Sequence, residues 1–214
     1  MIVWLAGYPR TGNTLARLIL RETLRLDSSS MYDESETLDL FDSGAIPVGD
    51  SLTRAVYDRL STDGKINVIK THQAPLDNSP AIITVRDGRD AIVSAADWWG
   101  IAVWHAVFGE NTPFADYSTF YKSWAPLGAP NRLVIRFEDA VANPDCAAEQ
   151  MASFLSVPLI SKFENRKAEW AASCPKVFSD HRDSWRSRMR PNELEMFWKM
   201  HGNAMGELGY EKGP

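Results

Sequence analysis

Four short apolar runs stand out along the chain: Ile2–Ala6, Ile66–Ile69, Ala81–Val85 and Leu133–Ile135. They are nearly continuous and rich in β-branched residues, the pattern of parallel strands covered on both faces. Between them the period changes to that of helices. In Thr14–Leu26, Leu15, Leu18 and Ile19 supply the apolar positions, and Arg17, Arg21 and Arg25 recur every fourth residue. Asp90–Trp99 follows the third run. Pro144–Leu155 follows the fourth, with Asn143 as its cap. The last helix starts at Pro191, a favoured first helical residue. Leu194, Phe197, Trp198, His201, Met205 and Leu208 share one face of it, and Gly209 suits its stop. Alternating strands and helices predict an α/β fold with a central, mostly parallel β-sheet flanked by helices. The most polar stretch, Asp27–Asp50, reads as a surface segment. With no repeat, low-complexity tract or long linker, residues 1–214 are expected to form a single domain.

Composition narrows the class. The chain has 214 residues, 28 of them acidic and 23 basic, for a formal charge of −5. A hydrophobic content of 44% against 24% charged residues excludes a disordered chain. A protein of this size buries roughly 70% of its extended surface, enough for a core without staples. No apolar run approaches the ~20 residues that span a bilayer, so no stable membrane insertion is expected. MIVWLAG lacks the basic start of a secretory signal. Cys146 and Cys174 make neither a disulfide framework nor a metal cluster. They are expected to be buried, reduced thiols of a cytoplasmic protein. The acidic balance argues against nucleic acid as a partner.

Ligands of such folds sit beyond the carboxyl ends of the strands, so three loops matter. The first, Gly7-Tyr8-Pro9-Arg10-Thr11-Gly12-Asn13-Thr14, has the G-x-x-x-x-G spacing of a phosphate loop and leads into a helix. Its backbone N–H groups and the helix dipole would face an anion. The lysine that a kinase needs after the second glycine is Asn13, and the loop's cation is Arg10. The second loop begins at Lys70-Thr71-His72, a cation and a candidate general base at a strand end. The third, Arg86-Asp87-Gly88-Arg89-Asp90, leads into a helix bearing Ser94, and Arg86 and Ser94 would converge on a second anion. Each loop also has an ordinary structural explanation, respectively a strand–turn–helix junction, a hydrogen-bonding histidine and a surface Arg–Asp pair. Together they predict a P-loop-like, three-layer fold whose ligand carries phosphates at two ends.

In combination these residues resemble the 3′-phosphoadenylyl-sulfate (PAPS)-dependent sulfotransferases, bacterial-type and similar to the cytosolic enzymes. The first loop resembles the family's 5′-phosphosulfate loop, Lys70-Thr71-His72 its catalytic strand, and Arg86 through Ser94 its 3′-phosphate motif. Phe137-Glu138-Asp139 with Asn143-Pro144 resembles the segment after the acceptor region. The resemblance runs from residue 1 to about 210. It implies sulfuryl transfer from PAPS, leaving 3′-phosphoadenylate (PAP), to a hydroxyl or amine, with no metal. His72 would be the base, and Arg10 and Lys70 would be catalytic cations. Arg10, Thr11, Gly12, Asn13, Thr14, Arg86 and Ser94 would hold the nucleotide. Phe178-Ser179-Asp180 stands where the family often has Arg-Lys-Gly, leaving Arg182, Arg186 and Arg188 as basic substitutes.

The same resemblance puts the acceptor, a small molecule, glycan or lipid, near Tyr8, Trp98, Trp99, Trp104 and His105. The surrounding aromatic stretch, which also holds Phe108, Phe114, Tyr117 and Phe120, would be either a wall or lid over the acceptor or helical core. Two rival functions remain at this level: a P-loop nucleotide or small-molecule kinase, marked by Mg²⁺-dependent ATP turnover, and a PAP- or PAPS-binding protein without catalysis.

Overall fold

The structure, a computed structural model, describes residues 1–32, 52–173 and 183–212. Five parallel strands form one sheet: β1 (Ile2–Gly7), β2 (Ser28–Ser30), β3 (Asn67–Thr71), β4 (Ala81–Val85) and β5 (Arg132–Arg136). Their spatial order is β2-β3-β1-β4-β5. Trp4 pairs with Ile69 on one side and with Ala81 on the other, so β1 is central and buried throughout. The four apolar runs of the sequence are the four strands β1, β3, β4 and β5. The α/β fold with a central parallel sheet is therefore the observed one.

Two cores sandwich the sheet. On one face Val3, Leu5, Val68 and Ile82 pack against α1 (Asn13–Leu24) and α7 (Pro144–Leu155). On the other, Ile2, Trp4, Ala6, Ile83 and Val85 pack against α3 (Gly88–Trp99), α4 (Val103–Phe108), α5 (Tyr117–Ser123) and α10 (Pro191–Glu207). Smaller helices complete the described residues: α2 (Arg54–Thr62), α6 (Phe137–Ala142), α8 (Lys167–Ser173) and α9 (Trp185–Arg188).

Two expectations change, and one open choice is resolved. The polar stretch from Asp27 is not all surface, because Ser28 and Ser30 are buried in β2, which pairs with β3. Arg17 of α1 compensates the first, its Nε donating to Ser28 Oγ at 2.7 Å, and Ser30 Oγ accepts from Tyr32 N at 3.2 Å. The rest of that stretch, residues 33–50, lies outside the described residues. Cys146 is exposed rather than buried, and Cys174 lies outside the described residues. Of the two alternatives for the aromatic stretch, Tyr117 and Phe120 take the core one, packing with Tyr121 edge to face. In α5 the spacing of these rings turns them under the sheet rather than over an acceptor.

Candidate active site

β1 ends at Gly7, and the loop that follows makes its turn with positive φ at Arg10 (69°) and Gly12 (108°). Both glycines are forced by close approach. A Cβ on Gly7 would lie 2.1 Å from Thr84 Oγ1, and one on Gly12 would lie 2.8 Å from the Phe137 ring. Thr11 Oγ1 donates to the Tyr8 carbonyl at 2.6 Å and lies 3.0 Å from Thr84 Oγ1. Thr84 Oγ1 in turn donates to Asn13 Oδ1 at 2.6 Å. Helix α1 starts here with Gly12 as its cap, no capping side chain and no acid in its first turn. The first N–H groups of such a helix need an acceptor, and an anion satisfies them best. Asn13 Nδ2 is buried beside them without a hydrogen-bond partner. Thr14 follows, half-buried, in the same turn. This donor set fits a phosphate.

The third loop is bound tightly to the first. Arg86, 4% exposed, donates from Nη1 to the Arg10 carbonyl at 3.2 Å, and its guanidinium lies 4.5 Å from the Phe137 ring centroid. Arg10 Nε donates to Ser94 Oγ at 3.0 Å, and its guanidinium lies over Trp98 at 4.8 Å. Arg10, Arg86 and Ser94 are thus one contiguous group. Helix α3 begins with Asp87 as cap, accepting from Arg89 N. Glu138 Oε1 accepts from Asp87 N at 3.0 Å, while Glu138 Oε2 accepts from the Tyr210 hydroxyl at 2.8 Å. Burial and Glu138 together push the Tyr210 phenol well above its ordinary pKa.

His72 follows β3 directly and is 9% exposed. Its Nδ1 lies 2.6 Å from the Gly7 carbonyl, which ties the second loop to the first. The Tyr32 ring stacks on the imidazole (5.7 Å, 12°), and the Phe114 ring meets it edge to face at 5.1 Å. Trp99 packs on Phe114 at 6.2 Å. Lys70 sits two residues earlier on β3, in register with Leu5 and Ser30.

The remaining acceptor-side expectations divide. Trp98 and Trp99 are half-buried at this edge. Tyr8 instead is 1% exposed and packs on Tyr117 at 5.4 Å, which makes it core. Trp104 packs on Phe108 of its own helix, and His105 Nδ1 pairs with Glu110 at 2.9 Å. No described contact brings Trp104 or His105 to His72. Arg186 pairs with Asp183 at 3.3 Å and lies over Trp185, in a helix that docks on α3 where Asp90 accepts from Asp183 N and Trp185 N. Arg182 lies outside the described residues. Sequence reasoning missed Tyr32 and Thr84. Only a lone hydroxyl in the apolar run Ala81–Val85 marked Thr84. Nothing marked Tyr32, because β2 has no apolar pattern.

The carboxyl ends of β1, β3 and β4 therefore carry one anion cradle with a histidine at its rim. A sulfotransferase domain model matches residues 2–209, and the chain belongs to that family. The fold is shared with mouse sulfotransferase SULT7A1 complexed with PAP, at a TM-score of 0.65 and 16% identity, over 97% of this chain and 87% of that one. Retinol dehydratase in complex with androsterone and inactive cofactor PAP superposes with a TM-score of 0.64 at 16% identity, over 95% and 80% of the two chains. The sulfotransferase domain of the curacin biosynthetic pathway gives 0.56 at 17% identity, over 98% of each. No curated protein sequence matches the chain.

Proposed function

We propose that the protein, working as one domain, transfers a sulfuryl group in line from PAPS to a hydroxyl or amine of a small-molecule, glycan or lipid acceptor. The observation that carries the reading is the 2.6 Å contact between His72 Nδ1 and the Gly7 carbonyl. A carbonyl only accepts, so Nδ1 holds the hydrogen and the neutral ring keeps its lone pair on Nε2. That is the atom a general base needs. When bound, PAPS supplies the sulfuryl group and leaves as PAP. His72 Nε2 takes the acceptor's proton as the acceptor atom bonds to sulfur and the bond from sulfur to the phosphate oxygen breaks.

Thr11, Gly12, Asn13 and Thr14 hold the 5′-phosphate at the uncapped start of α1. Arg86 and Ser94 hold the 3′-phosphate. Arg10 is a permanent cation, suited to steady the charge of the leaving phosphate but a poor proton donor. Lys70 adds positive charge from β3. The test separates chemistry from binding. His72→Ala is expected to lower kcat by about 10²–10⁴-fold, as for loss of a general base. PAP affinity, read by calorimetry, is expected to stay within about fivefold, or ~1 kcal/mol. Near-normal turnover in that variant removes His72 as the base. Loss of PAP binding with the fold intact makes it a nucleotide ligand instead.

A further inference from the structure

β2 is three serines long, polar, and at the edge of the sheet. A strand with so little apolar surface contributes little to the core, yet it is firmly held. Arg17 binds it twice, from Nε to Ser28 Oγ and from Nη2 to the Ser28 carbonyl at 3.2 Å. Its ladder with β3 continues past its end, where Met31 N donates to the Lys70 carbonyl at 3.1 Å. The next residue is Tyr32. Its hydroxyl accepts from the backbone N–H of His72 at 2.7 Å and lies 3.3 Å from Thr71 Oγ1. Thr71 Oγ1 in turn accepts from Gln73 N at 3.1 Å, so the turn around His72 is fastened on both sides. The Tyr32 ring stacks on the imidazole and braces Phe114 at 5.3 Å, edge to face.

We infer that Tyr32 is a positioning residue for His72: its hydroxyl fixes the histidine's backbone and its ring fixes the imidazole plane that points Nδ1 at Gly7. The inference rests on the reading of His72 as the base. A histidine with an unrestrained ring flips about its side-chain bonds and exchanges tautomers. A ring stacked at 12° on a backbone anchored at its own N–H is held in the plane where Nδ1 meets the Gly7 carbonyl, and that hydrogen bond selects the flip and the tautomer. The residue contributes no proton and touches no nucleotide in this role. What it sets is the ring plane in which Nδ1 can reach the Gly7 carbonyl, so that Nε2 offers the lone pair.

The test reads the imidazole directly and needs no acceptor. Long-range ¹H–¹⁵N spectra of the whole protein, with His72 assigned by loss of its signal in His72→Asn, report its tautomer. In the wild type a pyrrole-like Nδ1 and a pyridine-like Nε2 are expected. Tyr32→Phe keeps the ring and is expected to keep that tautomer, while amide exchange at His72 accelerates at least tenfold for want of the acceptor. Tyr32→Ala is expected to show averaged tautomer shifts and at least tenfold faster carbethoxylation of His72 by diethyl pyrocarbonate. PAP affinity is expected to stay within twofold in both. Unchanged tautomer and reactivity in a folded Tyr32→Ala overturn the proposal. If that variant does not fold, unchanged amide exchange in Tyr32→Phe overturns it. Loss of turnover in His72→Ala tests the base assignment separately, so failure of one claim is distinguishable from failure of the other.

Discussion

Single side chains in this site are held by contacts that differ in what they leave free for a ligand. Arg86 spends one guanidinium nitrogen on the Arg10 carbonyl and rests its face on Phe137, so its position is set before any nucleotide arrives. Preorganised cations lose little on binding. Arg86→Ala is expected to weaken PAP by about 1.5–3 kcal/mol, the range for charge-assisted hydrogen bonds. Adenosine 5′-phosphosulfate, which lacks the 3′-phosphate, is expected to lose little. Isothermal titration of both ligands decides it, and equal losses sink the assignment. At this scale chemistry and spacing picked out residues that the fold brings into contact, as Arg10 with Ser94 and with Arg86. The sequence misled at Tyr8, where a polar-tipped ring next to a phosphate loop turned inward, since the loop's first residues must still cover the end of β1. Tyr32 left no trace, because its role depends on a pairing across 40 residues.

Among the elements, legibility followed apolar content. β1, β3, β4 and β5 are apolar runs because both faces of the sheet are covered, whereas β2 is written in serine and held by Arg17. The last helix was visible from its stripe, but one member of that stripe is not simply apolar. His201 of α10 is fully buried, with Nε2 at 2.8 Å from the Val107 carbonyl and Nδ1 at 2.9 Å from the Ser118 hydroxyl. Burial pulls its pKa below the ordinary value, opposed in part by the Val107 carbonyl and by Asp116. The folded protein therefore takes up this proton at lower pH than the unfolded chain, whose histidine binds one below about pH 6.5. Below that pH the unfolded state holds more protons, so stability from this residue is complete above it and declines as pH falls. Melting temperatures at pH 7.5 and 5.0 are expected to fall less between the two for His201→Gln than for the wild type. An identical drop in both would assign the acid sensitivity to other groups.

In the whole molecule, the parallel arrangement gathers the site: strands running the same way put the loops after Gly7, Thr71 and Val85 on one edge, where residues more than 70 apart in sequence can meet. Sequence alone gives the loops and not the order of the strands, because hydrophobic runs do not say which neighbour each will choose. The observed order puts the first-made strand in the middle.

That position has a consequence for biosynthesis. β1 emerges first, apolar on both faces and unpaired on both edges, and its partners at Asn67–Thr71 and Ala81–Val85 follow much later. At ~5–20 residues per second the strand waits roughly 4–16 s for both neighbours. An open, flat, hydrophobic edge during that time is a site for pairing with other nascent chains. Ribosome-arrested chains ending before residue 67 are therefore expected to sediment as aggregates or to be retained by chaperones. Chains extended beyond residue 136 by enough further residues to fill the ribosome's exit tunnel are expected to resist protease in the β1 region, since by then every strand of the sheet has emerged. Equal protease sensitivity at both lengths would place the onset of folding after the last helix instead.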